Sequence, residues 1–140
     1  MIAAGQGQRR RQLLVVAALL ERGERVLVSQ RRADQHLPLH WEFPGGKVEP
    51  GESPAQALVR EIREELECEI DVGPIFDVVF HPYPEFDLFM LVYRATIRQG
   101  EPVAREVAAV RWVAKAELTQ LRLGPADLPL ACRLAGEERD

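Results

Sequence analysis

Glu61, Glu64 and Glu65 stand at i, i+3 and i+4. On an α-helix that spacing puts all three carboxylates on one flank, within roughly 100° of arc. Carboxylates so close repel one another unless something positive lies among them. Mg²⁺ or Mn²⁺ answers that need, because hard cations take carboxylate oxygens as ligands. The plainer reading of the same residues is a solvated helix face. Glutamate is a good helix former, and Arg60–Glu64 and Arg63–Glu67 are both i, i+4 pairs. The residues around the helix decide between the two.

The helix itself is legible. Ser53 suits the N-cap, Pro54 the first helical position, and Gln56 closes a capping box with Ser53. Ala55, Leu58, Val59, Ile62 and Leu66 repeat at helical spacing, so the helix runs from Pro54 to Leu66 or Glu67 with an apolar stripe against a sheet. Upstream, Leu13–Leu20 and Val26–Gln30 read as strands joined by a turn at Gly23. Arg31–Leu39 is a polar loop, Trp41–Phe43 a short strand, and Lys47–Gly51 a loop. Downstream, Ile75–Phe80 and Asp87–Ile97 form a hairpin about His81–Pro84, and Val110–Val113 is a further strand. Lys115–Leu121 is a short helix and Leu128–Glu137 the last one. This order predicts an α+β fold, a mixed β-sheet flanked by helices as an α/β/α sandwich. A single domain is expected over residues 1–140, with residues 1–11 flexible.

Gly46, Glu52, Arg60, Glu61, Glu64 and Glu65 together spell G-x5-E-x7-R-E-x-x-E-E. This resembles the box of the Nudix family, with Ile62 at its apolar position. Ser29 to Asp34, Trp41 to Lys47 and Gly124 to Pro129 are similar to the surroundings of the box in the MutT-like branch. That branch comprises bacterial enzymes acting on (deoxy)nucleoside triphosphates, the CTP pyrophosphohydrolase type included. Two positions depart from the pattern. Glu67 stands where the box has a glycine, so the helix end is expected to be extended or reshaped. Leu37 to His40 lacks the glycine common before the tryptophan.

The resemblance implies a Nudix fold and Mg²⁺-dependent hydrolysis of a nucleoside triphosphate, oxidised or modified ones included, to monophosphate and pyrophosphate. Another nucleoside diphosphate derivative, such as ADP-ribose or a dinucleoside polyphosphate, is the alternative substrate, and a non-catalytic nucleotide-binding module the third reading. It further implies that Glu61 and Glu65, then Glu64, ligate Mg²⁺ (or Mn²⁺), with the Gly45 carbonyl assisting. Glu106 is either the general base or a ligand of a further metal; Glu61 and Glu64 are the other candidates for proton transfer. Arg31 matches a phosphate-holding arginine, and Lys47 could reach phosphate as a point charge. Glu52 and Arg60 form a structural ion pair. Asp127 either reads an exocyclic amine of the base or caps the last helix. Phe43, with Tyr83, flanks the base or belongs to the core.

Composition narrows the partners. The net charge is -4 with a pI near 5.5, which excludes the basic stripe of a protein gripping a nucleic-acid polymer. Arginines outnumber lysines 16 to two, and one of those lysines, Lys47, falls inside the box segment. Cys68 and Cys132 lack metal spacing and read as buried free thiols. Arg9–Arg11 before Leu13–Leu20 has the outline of a signal peptide, but the apolar run is short and a charged turn follows it. No stretch is long enough to span a membrane. The expectation is a cytoplasmic monomer or homodimer acting on a small nucleotide.

Overall fold

The computed structural model describes residues 10–137. Strands β1 (Gln12–Arg22), β2 (Arg25–Gln30), β3 (Trp41–Glu42) and β4 (Gly45–Lys47) precede helix α1 (Pro54–Leu66). Then come β5 (Glu69–Pro82), β6 (Asp87–Gln99), β7 (Ala109–Ala114), a 3₁₀ helix (Lys115–Gln120) and helix α2 (Leu128–Glu137). The strands join in the order β3-β2-β1-β6-β5, with β4 on β1 and β7 on β2. The expected mixed sheet with flanking helices is the architecture found: β1 pairs parallel with β6 and antiparallel with β2 and β4.

The continuous apolar run of β1 has a simple cause, since the strand is buried on both faces. Ala17 and Leu19 pack with Leu130 and Leu134 of α2, while Val16, Ala18 and Leu20 pack with Leu58 and Ile62 of α1. Helix α1 begins at the Ser53 cap, whose side chain accepts from Gln56 N–H at 3.1 Å while Gln56 Oε1 accepts from Ser53 N–H at 2.9 Å. Its stripe of Ala57, Leu58, Ile62 and Leu66 is buried against the sheet.

Several expectations need correction. Lys47, expected to open a loop, instead ends a strand with Gly45 and Gly46 that pairs with Val15–Ala17. The hairpin strands are longer than their apolar centres suggested, because paired polar ends such as Glu69–Gln99 continue the ladder. Cys132 is exposed, whereas Cys68 is buried. Arg63 pairs with Glu69 at 2.6 Å rather than with Glu67. Of the stretch expected to be flexible, Arg10 donates to Asp87 at 2.9 Å and Arg11 C=O accepts from Asp87 N–H at 2.9 Å, while residues 1–9 lie outside the described ones.

Glu67 does not extend the helix. It takes the left-handed conformation itself (φ 58°, ψ 34°), with its N–H on Arg63 C=O. A residue with a Cβ is strained there, and glycine is the usual occupant. Glu67→Gly is therefore expected to stabilise the fold by about 0.5–1 kcal/mol with turnover unchanged. Denaturant melts beside a rate assay check this.

Candidate active site

Arg60 organises the acidic face of α1. Its Nε and Nη2 donate to Glu52 at 2.6 and 2.9 Å, and Nη2 also reaches Lys47 C=O at 3.0 Å. Nη1 is shared by Glu61 at 2.9 Å and Glu64 at 2.8 Å, with Glu49 at 3.5 Å. The Glu52–Arg60 pair thus ties the loop before the helix to the helix itself. These hydrogen bonds from Arg60 pull the Glu52 carboxyl down to about 2. Arg60 Nη1 also places a tethered positive charge between two of the three box carboxylates.

Glu61 lies against Gly46 so closely that any side chain there would displace its carboxylate. A Cβ on residue 46 would sit 2.3 Å from the Glu61 carboxyl carbon. Burial raises the pKa of Glu61, although Arg60 opposes it. Glu65 is more extreme. Burial, then the charges of Glu61, Glu42 and Glu106, push its carboxyl up to about 9. Its Oε1 is buried and lacks a hydrogen-bond partner among the described residues.

Among the described residues, no three acidic or other metal-ligating side chains already converge on one point that could hold a cation. The donor set nonetheless fits a hard divalent ion. An orphaned, desolvated carboxylate oxygen and a second carboxylate crowded beside it are what such an ion would relieve.

Glu61 and Glu65 line a cavity of about 610 Å³ that extends to the start of α2. Gly45, Gly46, Lys47 and Arg31 line the same cavity as the two glutamates, and so do Phe43, Tyr83 and Asp127. Arg31 donates from Nη1 to Glu42 at 3.0 Å and from Nε to His36 C=O at 2.5 Å. Tyr83 meets His36 and Phe86 at ring distances of 5.7 and 5.2 Å, making an aromatic wall. Asp127 is buried at 7 % exposure, and its Oδ1 accepts from Phe43 N–H at 3.1 Å. Burial, then the charge of Glu42, pushes the Asp127 carboxyl up to about 8.

The profile of the NUDIX domain matches residues 10–134. The chain belongs to the Nudix family. It is 40% identical to the CTP pyrophosphohydrolase of Escherichia coli (strain K12) over 116 residues, 83% of this chain and 86% of that protein. It is 33% identical to the 8-oxo-dGTP diphosphatase of Haemophilus influenzae over 129 residues, 91% of this chain and 95% of that protein. The crystal structure of a MutT Nudix hydrolase from Burkholderia pseudomallei matches with a TM-score of 0.79 at 28% identity. That match covers 89% of this chain and 98% of the other.

Within this Nudix hydrolase, the structure gathers Glu61, Glu65, Gly45, Arg31, Lys47, Phe43 and Asp127 around one cavity. Glu64 and Glu106 are not among its lining residues. Glu64 is bonded by Arg60 at 2.8 Å, and Glu106 is exposed with its N–H on Glu65 C=O at 3.3 Å. Asp127 makes no side-chain cap to α2 among the described hydrogen bonds; its carboxyl reaches across the fold to β3's end instead. Sequence reasoning missed Glu42. It lines the cavity between Arg31 and Glu65, and burial raises its pKa against the opposing effect of Arg31. The signal was a charged residue between two aromatics in a short strand, pointing opposite to both.

Proposed function

We propose that this Nudix hydrolase cleaves nucleoside triphosphates, ribo- or deoxyribo-, between the α and β phosphates to release pyrophosphate. One observation carries the reading: Glu61, Glu65, Arg31 and Lys47 line a single cavity together with Phe43, Tyr83, Phe86 and Asp127. A lining that joins metal-seeking carboxylates and cations to aromatic rings and a buried polar group suits a nucleotide. The similarity to a CTP pyrophosphohydrolase and to 8-oxo-dGTP diphosphatases supports the choice of triphosphates, oxidised ones included.

Glu61 and Glu65 would hold Mg²⁺, with Glu64 and the Gly45 carbonyl completing the set. Bound there, the cation supplies charge neutralisation for the phosphates and a polarised water. Arg31 and Lys47 orient the chain of phosphates, Arg31 as a fork and Lys47 as a point charge. Accepting the proton of the attacking water falls to one of Glu61, Glu64 and Glu106. Glu52 holds Arg60, which keeps Glu61 and Glu64 aimed. The setting is the cytoplasm, and the enzyme acts as a monomer or homodimer on a free nucleotide.

At the base end, the electrostatics revise the expectation of a carboxylate accepting from an amine. With its carboxyl at about 8 and Oδ1 engaged by Phe43, Asp127 is a neutral acid at pH 7 that offers an O–H donor. It would therefore read an acceptor on the base. The folded value lies well above the unfolded one of about 3.9. The folded state then holds a proton that the unfolded state releases, so this contribution is full below about pH 4 and is lost as pH rises to about 8. Asp127→Asn is expected to flatten stability between those limits and to remove a rise in KM above pH 8. Denaturant melts and KM against pH check both.

The deciding experiment incubates purified protein and Mg²⁺ with the ribo- and deoxyribonucleoside triphosphates, 8-oxo-dGTP, ADP-ribose and dinucleoside polyphosphates. Pyrophosphate from one or more triphosphates is expected. Orthophosphate instead would move the cleavage position, and no product from any substrate would sink the enzyme reading.

A further inference from the structure

Ser29 has no part in the site as described so far. Its residue is wholly buried on β2 at 0 % exposure, yet its Oγ has no hydrogen-bond partner among the described residues. An orphaned hydroxyl in a native core is uncommon and calls for a reason.

The strand register says what Ser29 faces. It is directly opposed to Glu42 in the antiparallel β2–β3 pair, so the two side chains share one face. Arg31 lies two residues further along and continues the pairing, its N–H on His40 C=O and its C=O receiving Leu39 N–H. It therefore shares that face as well. Its Nη1 is the donor that holds Glu42. Glu42 thus stands between a guanidinium that binds it and a hydroxyl that, in this state, does not.

Arg31 has a second task under the function proposed above. An end-on, two-bond grip on phosphate uses Nη1 and Nη2. Each Nη carries two N–H groups, so Nη1 can keep Glu42 in reach, but turning the fork to phosphate shares that cation between two acceptors. A largely buried carboxylate then loses part of its cation with Glu65 nearby, an unfavourable state unless another donor adds to it. We infer that Ser29 is a positioning residue for that state: when Arg31 turns to the triphosphate, the Ser29 hydroxyl donates to the Glu42 carboxylate and holds it in place. This rests on the assignment of Arg31 to phosphate. No covalent step is involved, and the hydroxyl keeps its proton throughout.

Ser29→Ala removes only the oxygen. Its KM for the triphosphate hydrolysed fastest should rise about tenfold, the size of one hydrogen bond to a charged group. The Kd for a non-hydrolysable α,β-methylene triphosphate should rise in step, while kcat stays within about twofold. The nucleotide-free protein should melt at the same temperature or higher, because alanine deletes an unpaired hydroxyl. Ser29→Thr, which keeps the donor, should return KM toward the parent value. In a Glu42→Leu background, which has no acceptor, Ser29→Ala should add nothing. Arg31→Ala is measured alongside. If that variant leaves KM unchanged, the phosphate role of Arg31 and this inference fall together. If Arg31→Ala raises KM and Ser29→Ala does not, or if Ser29→Ala only lowers the melting temperature, the hand-over alone is wrong.

Discussion

Glu65→Gln is expected to lower turnover by at least roughly a hundredfold while leaving the metal-free protein as stable as the parent or more so. Loss of a residue that merely orients a metal ligand already costs roughly 10- to 100-fold, so loss of a ligand should exceed that. The stability half of the prediction comes from the environment of the group. Glu65 is pushed to about 9 by burial and by Glu61, Glu42 and Glu106, and its Oε1 is an orphan. Gln keeps the shape, avoids the cost of binding a proton on folding at neutral pH, and brings donors that neighbouring carboxylates can accept. The parent protein should gain melting temperature with added Mg²⁺, as any ligand of the native state confers, and Glu65→Gln should lose most of that gain. Glu61→Gln should cost as much turnover without the stability benefit, because Arg60 Nη1 then loses one of its two close carboxylates. Rates, with melts in EDTA and in Mg²⁺, separate these outcomes. A Glu65→Gln enzyme keeping a tenth of parental turnover would remove Glu65 from the metal site.

Gly46→Ala is expected to be nearly as damaging, by a different route. The added Cβ would lie 2.3 Å from Glu61 Oε2 and 2.7 Å from Oε1. The carboxylate must swing away, yet Arg60 pins it at 2.9 Å. A displacement of about 1 Å at a reacting centre can cost roughly a hundredfold in rate. The obstruction is the end of a side chain, so the fold should survive with a melting temperature close to the parent. Gly45→Ala should behave in the opposite way. Its Cβ would meet Val16 O at 1.9 Å, and that oxygen is backbone of the central strand. Loss of soluble protein is expected there, rather than a folded enzyme with poor turnover. If Gly46→Ala unfolded and Gly45→Ala did not, the division of labour between the two glycines would be reversed.

The elements most legible in the sequence are those whose causes are local. Helix α1 was readable to within one residue because its cap, its proline and its apolar stripe are all local to it. The strand at Gly45–Lys47 was not, because two glycines carry no strand signal; the pairing comes from β1, distant in sequence. Glu67 misled for a related reason. Propensity favours helix for glutamate, but the chain must reverse into β5, and the turn overrides the residue. The residues proposed to hold the metal were visible as a box, since the three glutamates lie on one helix and the glycines on the strand before it. Those proposed to read the base were only partly so. Asp127 meets Phe43 across 84 residues of chain, and burial there, then the charge of Glu42, pushes its carboxyl up to about 8 against the lowering effect of the Phe43 N–H. Glu42 and Ser29 acquire their meaning from cross-strand register, which no local pattern states.

The segment carrying Gly45 and Gly46 is clamped to β1 along its length. Ala18 N–H donates to Pro44 C=O at 2.8 Å, Val48 N–H to Leu14 C=O at 3.2 Å, and Gly46 pairs with Val16 between them. Glycine-rich segments commonly breathe on their own, but this one should share the motions of a strand buried on both faces. Its amide protons should therefore exchange with solvent only as slowly as those of β1, through opening of the whole sheet rather than local fraying. On heating, catalytic competence and the fold should disappear at one temperature, because the floor of the site has no softer way to come apart.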